Sequence, residues 1–461
     1  MIRRRLHNAI QTRFFRNILV GAYGQAIQLG AQLVLVPVLI AYWGLGTYGV
    51  WLMLLAIPAY LTMADLGIAS AAMNEMVALT AKGRNHRAAQ LFRAVQRMQL
   101  LAIFSVTALA VLIVFGVQPA VLDSLSGVMQ GDQQMVIVLL VLYGLMALPR
   151  ASIMAAFSAS DRHAFGGYLF LSANLVEATA TIALVIAGEG IRAIVIAYLA
   201  IAIAVIILGL VLLHRTAPWL REKSHSRTSM RQLYRLARPA GAFMLLPAAN
   251  ATLFQGSSAM LGSAGGPASV PALTVPRTLT RLALQIATIV SAASIQRFTV
   301  ANARNDHDRM TSLLAVNLGV IGIVVLPAAL MMIAAGPQLI AAWTGGNLTV
   351  SRWLITPLAI SVVLAGIWTV LANALISLNR HTSYAFSYLV LSLSGVAVGG
   401  LLAAKFGALG MAWAVAAIDF GMVVLICRIA GQAGVLVPGD LAMAGRTFLK
   451  AINSTRRHER P

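Results

Sequence analysis

The sequence predicts an all-α integral membrane protein of about twelve transmembrane helices, arranged as two six-helix bundles around a central cleft. The composition, the spacing of the apolar runs and an internal repeat predict this class. The 461 residues are 59% hydrophobic and only 10% charged, with a mean hydropathy of +0.84. A soluble chain of this length could not bury so much apolar surface, whereas a chain that crosses a bilayer many times exposes it to lipid.

Apolar runs long enough to cross a bilayer recur along the whole chain, since about twenty mostly apolar residues suffice for one helical crossing. Tight turns at Gly44-Leu45-Gly46 and Gly188-Glu189-Gly190 separate two pairs of these runs. We number the runs as spans 1 to 12. They are predicted near residues 17–42, 47–77, 98–117, 134–158, 164–187, 192–213, 239–263, 272–298, 312–335, 353–378, 382–404 and 408–430.

The distribution of basic residues predicts how the chain crosses the membrane. With the N-terminus in the cytoplasm, 28 of the 34 Lys and Arg residues fall on the cytoplasmic side, three fall outside and three lie within spans. This bias satisfies the positive-inside rule and predicts that both termini are cytoplasmic. The net charge of +21 flanks apolar runs, so it predicts contact with anionic membrane lipids and no nucleic-acid partner.

Basic segments precede, join and follow the two predicted bundles. In the first, apolar residues recur at every fourth position, which predicts an interfacial helix; a disordered basic tail is the alternative. The linker is either a surface helix or a solvated connection. The single cysteine, Cys427, excludes an internal disulfide, and its apolar neighbours predict a buried thiol. The five segments are 1–16, the bundle 17–213, the linker 214–238, the bundle 239–430 and the tail 431–461.

The two bundles resemble each other in sequence. Residues 68–72 are similar to residues 289–293, a shift of 221, and the pair Arg162-His163 recurs 218 residues later as Arg380-His381. The shift corresponds to six spans. Because six is even, the two halves are predicted to share one orientation, related by an axis along the membrane normal.

Polar side chains inside the spans predict a surface that lines the cleft. Three glutamines of span 1, spaced by three and four residues, share one helical face, and span 8 carries a second polar stripe that is cationic. The predicted substrate-binding residues are Gln25, Gln28, Gln32, Arg150, Asn250, Arg277, Arg281 and Gln285.

Three arginines and three acids lie at membrane depth, where a charge is rarely kept without a function. Arg281 lies deepest, whereas Arg277 and Arg150 have the alternative of snorkelling to the headgroups. A guanidinium group offers a permanent charge and a planar fork for phosphate oxygens, so the arginines predict an anionic substrate. Pairing with Arg150 or Arg281 is one role for the acids, and ion coupling is the other. The candidates for ion coupling are Asp65, Glu177 and Asp419.

The first two spans resemble a known family. Asn17 opens span 1, Pro37 lies near its end, and Gly44, Tyr48-Gly49, Trp51 and Asp65-Leu66-Gly67 follow. This pattern is similar to the N-terminal signature of bacterial O-antigen and exopolysaccharide flippases of the multidrug/oligosaccharidyl-lipid/polysaccharide exporter superfamily. The six-plus-six plan extends the resemblance over nearly the whole chain, by architecture more than by motif in the second half. The superfamily's lipid II flippases usually have two further spans, for which the sequence has no room.

The resemblance implies a transporter rather than an enzyme, in the bacterial inner membrane. It would move undecaprenyl-pyrophosphate-linked oligosaccharide repeat units outward by alternating access, for lipopolysaccharide or exopolysaccharide synthesis, alongside a polysaccharide polymerase. Arg281, Arg277 and Arg150 are the positions that could meet the pyrophosphate.

Two other functions remain open on the sequence. A multidrug antiporter of the same superfamily would need to attract cations, which a cationic cleft disfavours. A membrane-embedded glycan polymerase or ligase typically needs a large outer loop or paired acids, and the loops 118–133 and 336–352 are short. No phosphate-binding Gly-x-x-x-x-Gly-Lys-Ser/Thr motif occurs, so the sequence predicts no ATP hydrolysis, and we predict no cofactor and no metal.

Overall fold

The described part of the chain consists of α-helices and short connections and contains no strand. The computed structural model describes residues 2–62, 68–116, 133–221, 244–378, 380 and 382–435, and for residues 2–18 and 221 the backbone only. Within these residues, ten helices are long and apolar enough to cross a membrane. The all-α multi-pass architecture predicted from the sequence is therefore confirmed. Asp65 and most of the linker 214–238 lie outside the described residues.

The twelve predicted runs correspond to helices with somewhat different ends. Span 3 starts well before its apolar run, and span 9 is longer than predicted at both ends. Spans 1, 2 and 7 occupy residues 19–43, 45–81 with a gap at 63–67, and 244–265. The others are Asn85–Gly116, Gln133–Ala159, His163–Ile186, Ile191–Thr216, Pro267–Ala303, His307–Trp343, Arg352–Ser377, Thr382–Phe406 and Ala408–Gln432.

Spans 1 and 2 form a helical hairpin, and the two helices within Ile2–Leu54 meet at Gly44. Gly44, in the turn, has φ 71° and ψ 175°, a conformation that is open almost only to glycine. The rings of Trp43 and Trp51 lie 6.3 Å apart, although eight residues of straight helix rise about 12 Å. The chain therefore reverses at Gly44, as the Gly44-Leu45-Gly46 pattern predicts.

The chain forms two compact units, Met1–Met244 and Leu245–Pro461. We call them unit 1 and unit 2. In unit 1, span 1 packs against span 5, span 2 against span 4, and span 6 against spans 4 and 5. In unit 2, span 7 packs against span 11, span 8 against span 10, and span 12 against spans 10 and 11. The same pairs recur six spans later, which supports the internal repeat. The central cleft stays a prediction.

Backbone conformation repeats along with the packing. Gly44 and Gly266 precede the second helix of each unit, and both have positive φ, 71° and 79°. Gly83 and Asn305, between the second and third helices, have φ 68° and 52°. Each pair is separated by 222 residues, close to the shift seen in the sequence.

Prolines and helix faces explain the remaining irregularities. The helices break at Leu55 and Met146, three residues before Pro58 and Pro149, because proline cannot donate the backbone hydrogen bond. Two π turns, Thr252–Gly256 and Ile321–Val325, interrupt spans 7 and 9. Apolar side chains such as Phe104, 76% exposed, cover the outer faces. Cys427 lies on such a face, so the prediction of a buried thiol is wrong.

Candidate substrate site

Unit 2 binds Arg277, one of the two arginines predicted at membrane depth in span 8, with its own side chains. Arg277 of span 8 donates from Nη1 to the Ser257 hydroxyl at 2.8 Å, and from Nη2 to the Ser258 hydroxyl and the Phe254 carbonyl, both at 3.2 Å. Its guanidinium carbon lies 5.1 Å from the centre of the Phe254 ring. At 9% exposure Arg277 does not snorkel to the headgroups. These contacts from span 7 use the arginine as part of the packing.

Arg281, one helical turn further along span 8, has a different environment. Its guanidinium carbon lies 4.5 Å from the centre of the same Phe254 ring, so the ring contacts both cations. The side chain lines a cavity of about 250 Å³ inside unit 2. Within the described residues Arg281 makes neither a hydrogen bond nor an ion pair. Its five N–H donors are therefore available to a ligand in the cavity.

Asp419 of span 12 lines the same cavity and is 1% exposed. Its carboxylate accepts hydrogen bonds from the Ser361 hydroxyl and, at 3.0 Å, from the Trp368 indole N–H. The opposite charges of Asp419 and Arg281 attract each other across the cavity without direct contact. Because span 10 supplies both donors, the acid keeps a fixed position without an arginine partner.

Further polar side chains line the unit 2 cavity. The Tyr388 hydroxyl of span 11 donates to the Asn250 side-chain oxygen at 3.1 Å, and the Tyr388 ring packs 5.1 Å from that of Trp368. Asn373 donates to Ser291 at 2.8 Å. The cavity thus combines a cation that pairs with no described residue, a hydrogen-bonded carboxylate and several neutral hydrogen-bonding groups from five spans.

Unit 1 neutralises its own buried arginine. Arg150 Nη2 lies 3.2 Å from Glu177 Oε1, and the other carboxylate oxygen accepts from the Tyr143 hydroxyl at 2.9 Å. The side chains are 18% and 9% exposed, so this ion pair is largely shielded. Tyr198, whose ring packs against that of Tyr143, bonds to Thr181. Glu177 therefore has the pairing role that the sequence left as one of two alternatives.

A second and larger cavity, of about 500 Å³, lies within unit 1. One face of span 1 supplies most of its wall, including all three predicted glutamines, and span 5 supplies Asn174. Tyr48 and Trp51 of span 2 also line it. The described residues that line this cavity include no Lys, Arg, His, Asp or Glu.

The structure brings some predicted residues together and separates others. Arg281 and Asn250 share a cavity with Asp419, and the three glutamines share another. Arg277, Arg150 and Gln285 line neither cavity, and Asp65 lies outside the described residues. The sequence analysis missed several residues of the unit 2 site because they come from distant spans. An aromatic ring with a polar atom inside an apolar run was the available signal for Trp368 and Tyr388.

The fold is that of known transporters. The structure is similar to the lipid II flippase MurJ in an inward closed conformation, with a TM-score of 0.65 at 13% identity over 96% of this chain and 92% of that chain. It is also similar to an inward-facing multidrug resistance MATE family transporter of the MOP superfamily, with a TM-score of 0.63 at 14% identity over 94% and 96%. The MATE multidrug transporter DinF-BH gives a TM-score of 0.60 at 14% identity over 90% and 93%.

These similarities show the fold. The chain shares it with a lipid II flippase and with a MATE family transporter of the MOP superfamily. No model of a protein family matches the sequence, and no curated protein matches it. The similarity to these solved structures, at 13–14% identity, therefore supports the fold and does not identify the substrate. The substrate has to be inferred from the chemistry of the cavities.

Proposed function

We propose that this protein is a lipid-linked oligosaccharide flippase of the bacterial inner membrane. It moves undecaprenyl-pyrophosphate-linked repeat units to the outer leaflet by alternating access, for O-antigen or exopolysaccharide synthesis. A pyrophosphate and a sugar chain cannot cross hydrocarbon unaided, because neither finds hydrogen-bond partners there. The protein supplies those partners while the prenyl tail remains in lipid.

The unpaired guanidinium of Arg281 carries the proposal. An arginine in a membrane span normally pairs or lines a functional site. In unit 1, Arg150 forms an ion pair with Glu177, and in unit 2, Arg277 donates hydrogen bonds to serine hydroxyls. Within the described residues, Arg281 contacts only the face of the Phe254 ring. Its planar fork is suited to two phosphate oxygens of an anionic ligand.

A multidrug antiporter is the second candidate, and Asp419 is the observation that favours it. A buried carboxylate in a cavity attracts a cationic drug or a coupling ion. DinF-BH is a multidrug transporter, so this fold serves drug transport in at least that protein. Against a cationic drug here, Arg281 lines the same cavity and repels it.

The test replaces Arg281 with Ala in cells whose surface polysaccharide depends on this chain. We expect a loss of surface polymer of about tenfold or more at matched protein levels, as follows from losing a charged hydrogen-bonding group. Arg281→Lys, which keeps the charge without the fork, should retain part of the activity. Arg297→Ala is the matched control, because Arg297 is an exposed arginine of the same helix. Normal surface polymer in Arg281→Ala would refute the proposal.

Ion coupling by Asp419 stays part of the proposal. Glu177 is the weaker candidate because its carboxylate is already paired. Transport in vesicles should respond to an imposed proton or sodium gradient, and Asp419→Asn should abolish that response. Transport that is indifferent to both gradients in the unchanged protein would exclude coupling.

A further inference from the structure

The cavity of unit 1 is lined by polar groups without partners. Gln25, Gln28, Gln32 and Asn174 each carry an amide, and none of the four side chains makes a hydrogen bond within the described residues. The same is true of the Trp51 indole N–H. The Gln32 side-chain oxygen is fully shielded and still lacks a donor. Leaving such groups unpaired inside a membrane span is costly, so a ligand or water must satisfy them.

The chemistry of this wall selects an uncharged ligand. An anion would find no cation, and a cation would find no carboxylate, among the described residues that line the cavity. Each amide offers both donors and acceptors, which matches hydroxyl groups that donate and accept at once. An apolar ligand would leave the amides unsatisfied. The volume of about 500 Å³ is in the range of about 300–1,000 Å³ that is typical of small-molecule sites.

We propose that the span 1 cavity of unit 1 binds an uncharged, hydroxyl-rich group, a sugar residue of the carried lipid. This rests on the proposed function and deepens it, because it assigns the neutral part of the substrate to a site of its own. Unit 2 binds the anionic part through Arg281. Tyr48 and Trp51, both almost fully buried, form part of the apolar wall beside the amides.

The structure offers a matched pair of glycines for the test. Gly21 lines the cavity, and a Cβ atom added there would meet nothing within 4 Å. Gly21→Leu therefore adds a side chain to the cavity wall at a position where its Cβ atom meets no neighbour. Gly30 lies on the same helix, also meets nothing within 4 Å and does not line the cavity. Gly30→Leu thus makes the same chemical change away from the site.

The experiment measures binding of two probes to the full-length protein in nanodiscs. The first is an uncharged farnesyl glycoside of a disaccharide, and the second is farnesyl pyrophosphate, which has the anion and no sugar. Gly21→Leu and Gln32→Leu should each weaken binding of the glycoside by about tenfold and that of the pyrophosphate by less than about twofold. Gly30→Leu should change neither, and Arg281→Gln should weaken only the pyrophosphate.

Glycoside affinity that is unchanged in both cavity variants, or absent in the unchanged protein, would overturn the inference. An equal loss for both probes would also overturn it, because the cavity would then not be selective for the sugar. These results are independent of the proposed function, whose failure is normal surface polymer in Arg281→Ala. Unfolding midpoints of all variants, measured in parallel, show whether a loss of binding reflects a loss of fold.

Discussion

Units 1 and 2 share a helix arrangement and differ in the charged side chains that line their cavities. Both contain six spans with the same packing pairs, and both turn between their first two helices at a glycine with positive φ. Unit 1 pairs its buried arginine with Glu177 and lines its cavity with neutral amides. Arg281 of unit 2 lines a smaller cavity and makes neither a hydrogen bond nor an ion pair with any described residue. A duplicated scaffold therefore carries two chemistries, because packing constrains the helix contacts and not the side chains that face a cavity.

The largest effect we expect comes from breaking the ion pair of unit 1. Glu177→Leu leaves the charge of Arg150 and the hydroxyl of Tyr143 without their acceptor, which should cost about 3–5 kcal/mol of unfolding free energy. The measurement is denaturant unfolding in detergent. Adding Arg150→Met to Glu177→Leu should restore stability to within about 1 kcal/mol, because a well-packed apolar pair replaces the ions. Equal stability of the single and double variants would contradict the ion pair.

The second effect separates the two arginines of unit 2. Arg277→Met removes three hydrogen bonds to Ser257, Ser258 and Phe254, and we expect a loss of about 2–3 kcal/mol. Arg281→Met removes a charge that makes no hydrogen bond within the described residues but contacts the Phe254 ring and attracts Asp419, so we expect a loss of less than about 1 kcal/mol while transport falls. Unfolding free energies of both variants, with Arg297→Met as the control, test this. A larger loss for Arg281→Met would reverse the assignment of roles.

The sequence predicted the membrane spans because length and hydropathy are local properties. The Gly44 turn and the three-glutamine face of span 1 were also accessible, since both follow from a few neighbouring residues. The partners of each arginine could not be predicted in this way. Glu177 lies 27 positions from Arg150, and Ser257 lies 20 positions before Arg277, so only the packing of different spans brings them together.

Depth in the membrane distinguished Arg281 from Arg277 in the sequence, but it did not predict what either side chain contacts. The two arginines lie four residues apart on one helix. The difference arises from span 7, whose serines accept hydrogen bonds from Arg277, whereas both cations contact the Phe254 ring. Asp419 likewise appeared as a possible partner for an arginine, whereas Ser361 and Trp368 of span 10 supply its hydrogen bonds.

The third effect compares equivalent glycines in spans 4 and 10. A Cβ atom on Gly144 would lie 2.7 Å from the main-chain Cα of Pro58, and one on Gly366 would lie 2.9 Å from the Ile321 side-chain end. The two glycines are 222 residues apart, the repeat distance. Gly144→Ala should lower the free energy of unfolding by about 1–3 kcal/mol. Gly366→Ala should lower it by less than about 1 kcal/mol, because a side chain moves more easily than the backbone. Denaturant unfolding should rank them in this order, and the reverse order would mean that span 4 does not pack on Pro58.

The smallest effect concerns the feature in which the units agree. Gly44 and Gly266 have φ of 71° and 79° with ψ of 175° and 160°, and an added Cβ would meet nothing within 4 Å at either. Only backbone strain opposes an alanine at these positions. Gly44→Ala and Gly266→Ala should therefore each lower the free energy of unfolding by about 1–2 kcal/mol in denaturant unfolding, and by the same amount.

Gly46→Ala is the matched control for these two substitutions, because Gly46 lies in the same turn region, is helical and has open space around it. It should be neutral or stabilising by about 0.5–1 kcal/mol, since Ala favours a helix over Gly. Equal losses at Gly44 and Gly266 with none at Gly46 would indicate that the two turns kept one geometry after the cavities diverged. Unequal losses would mean that the repeat is conserved in helix packing alone.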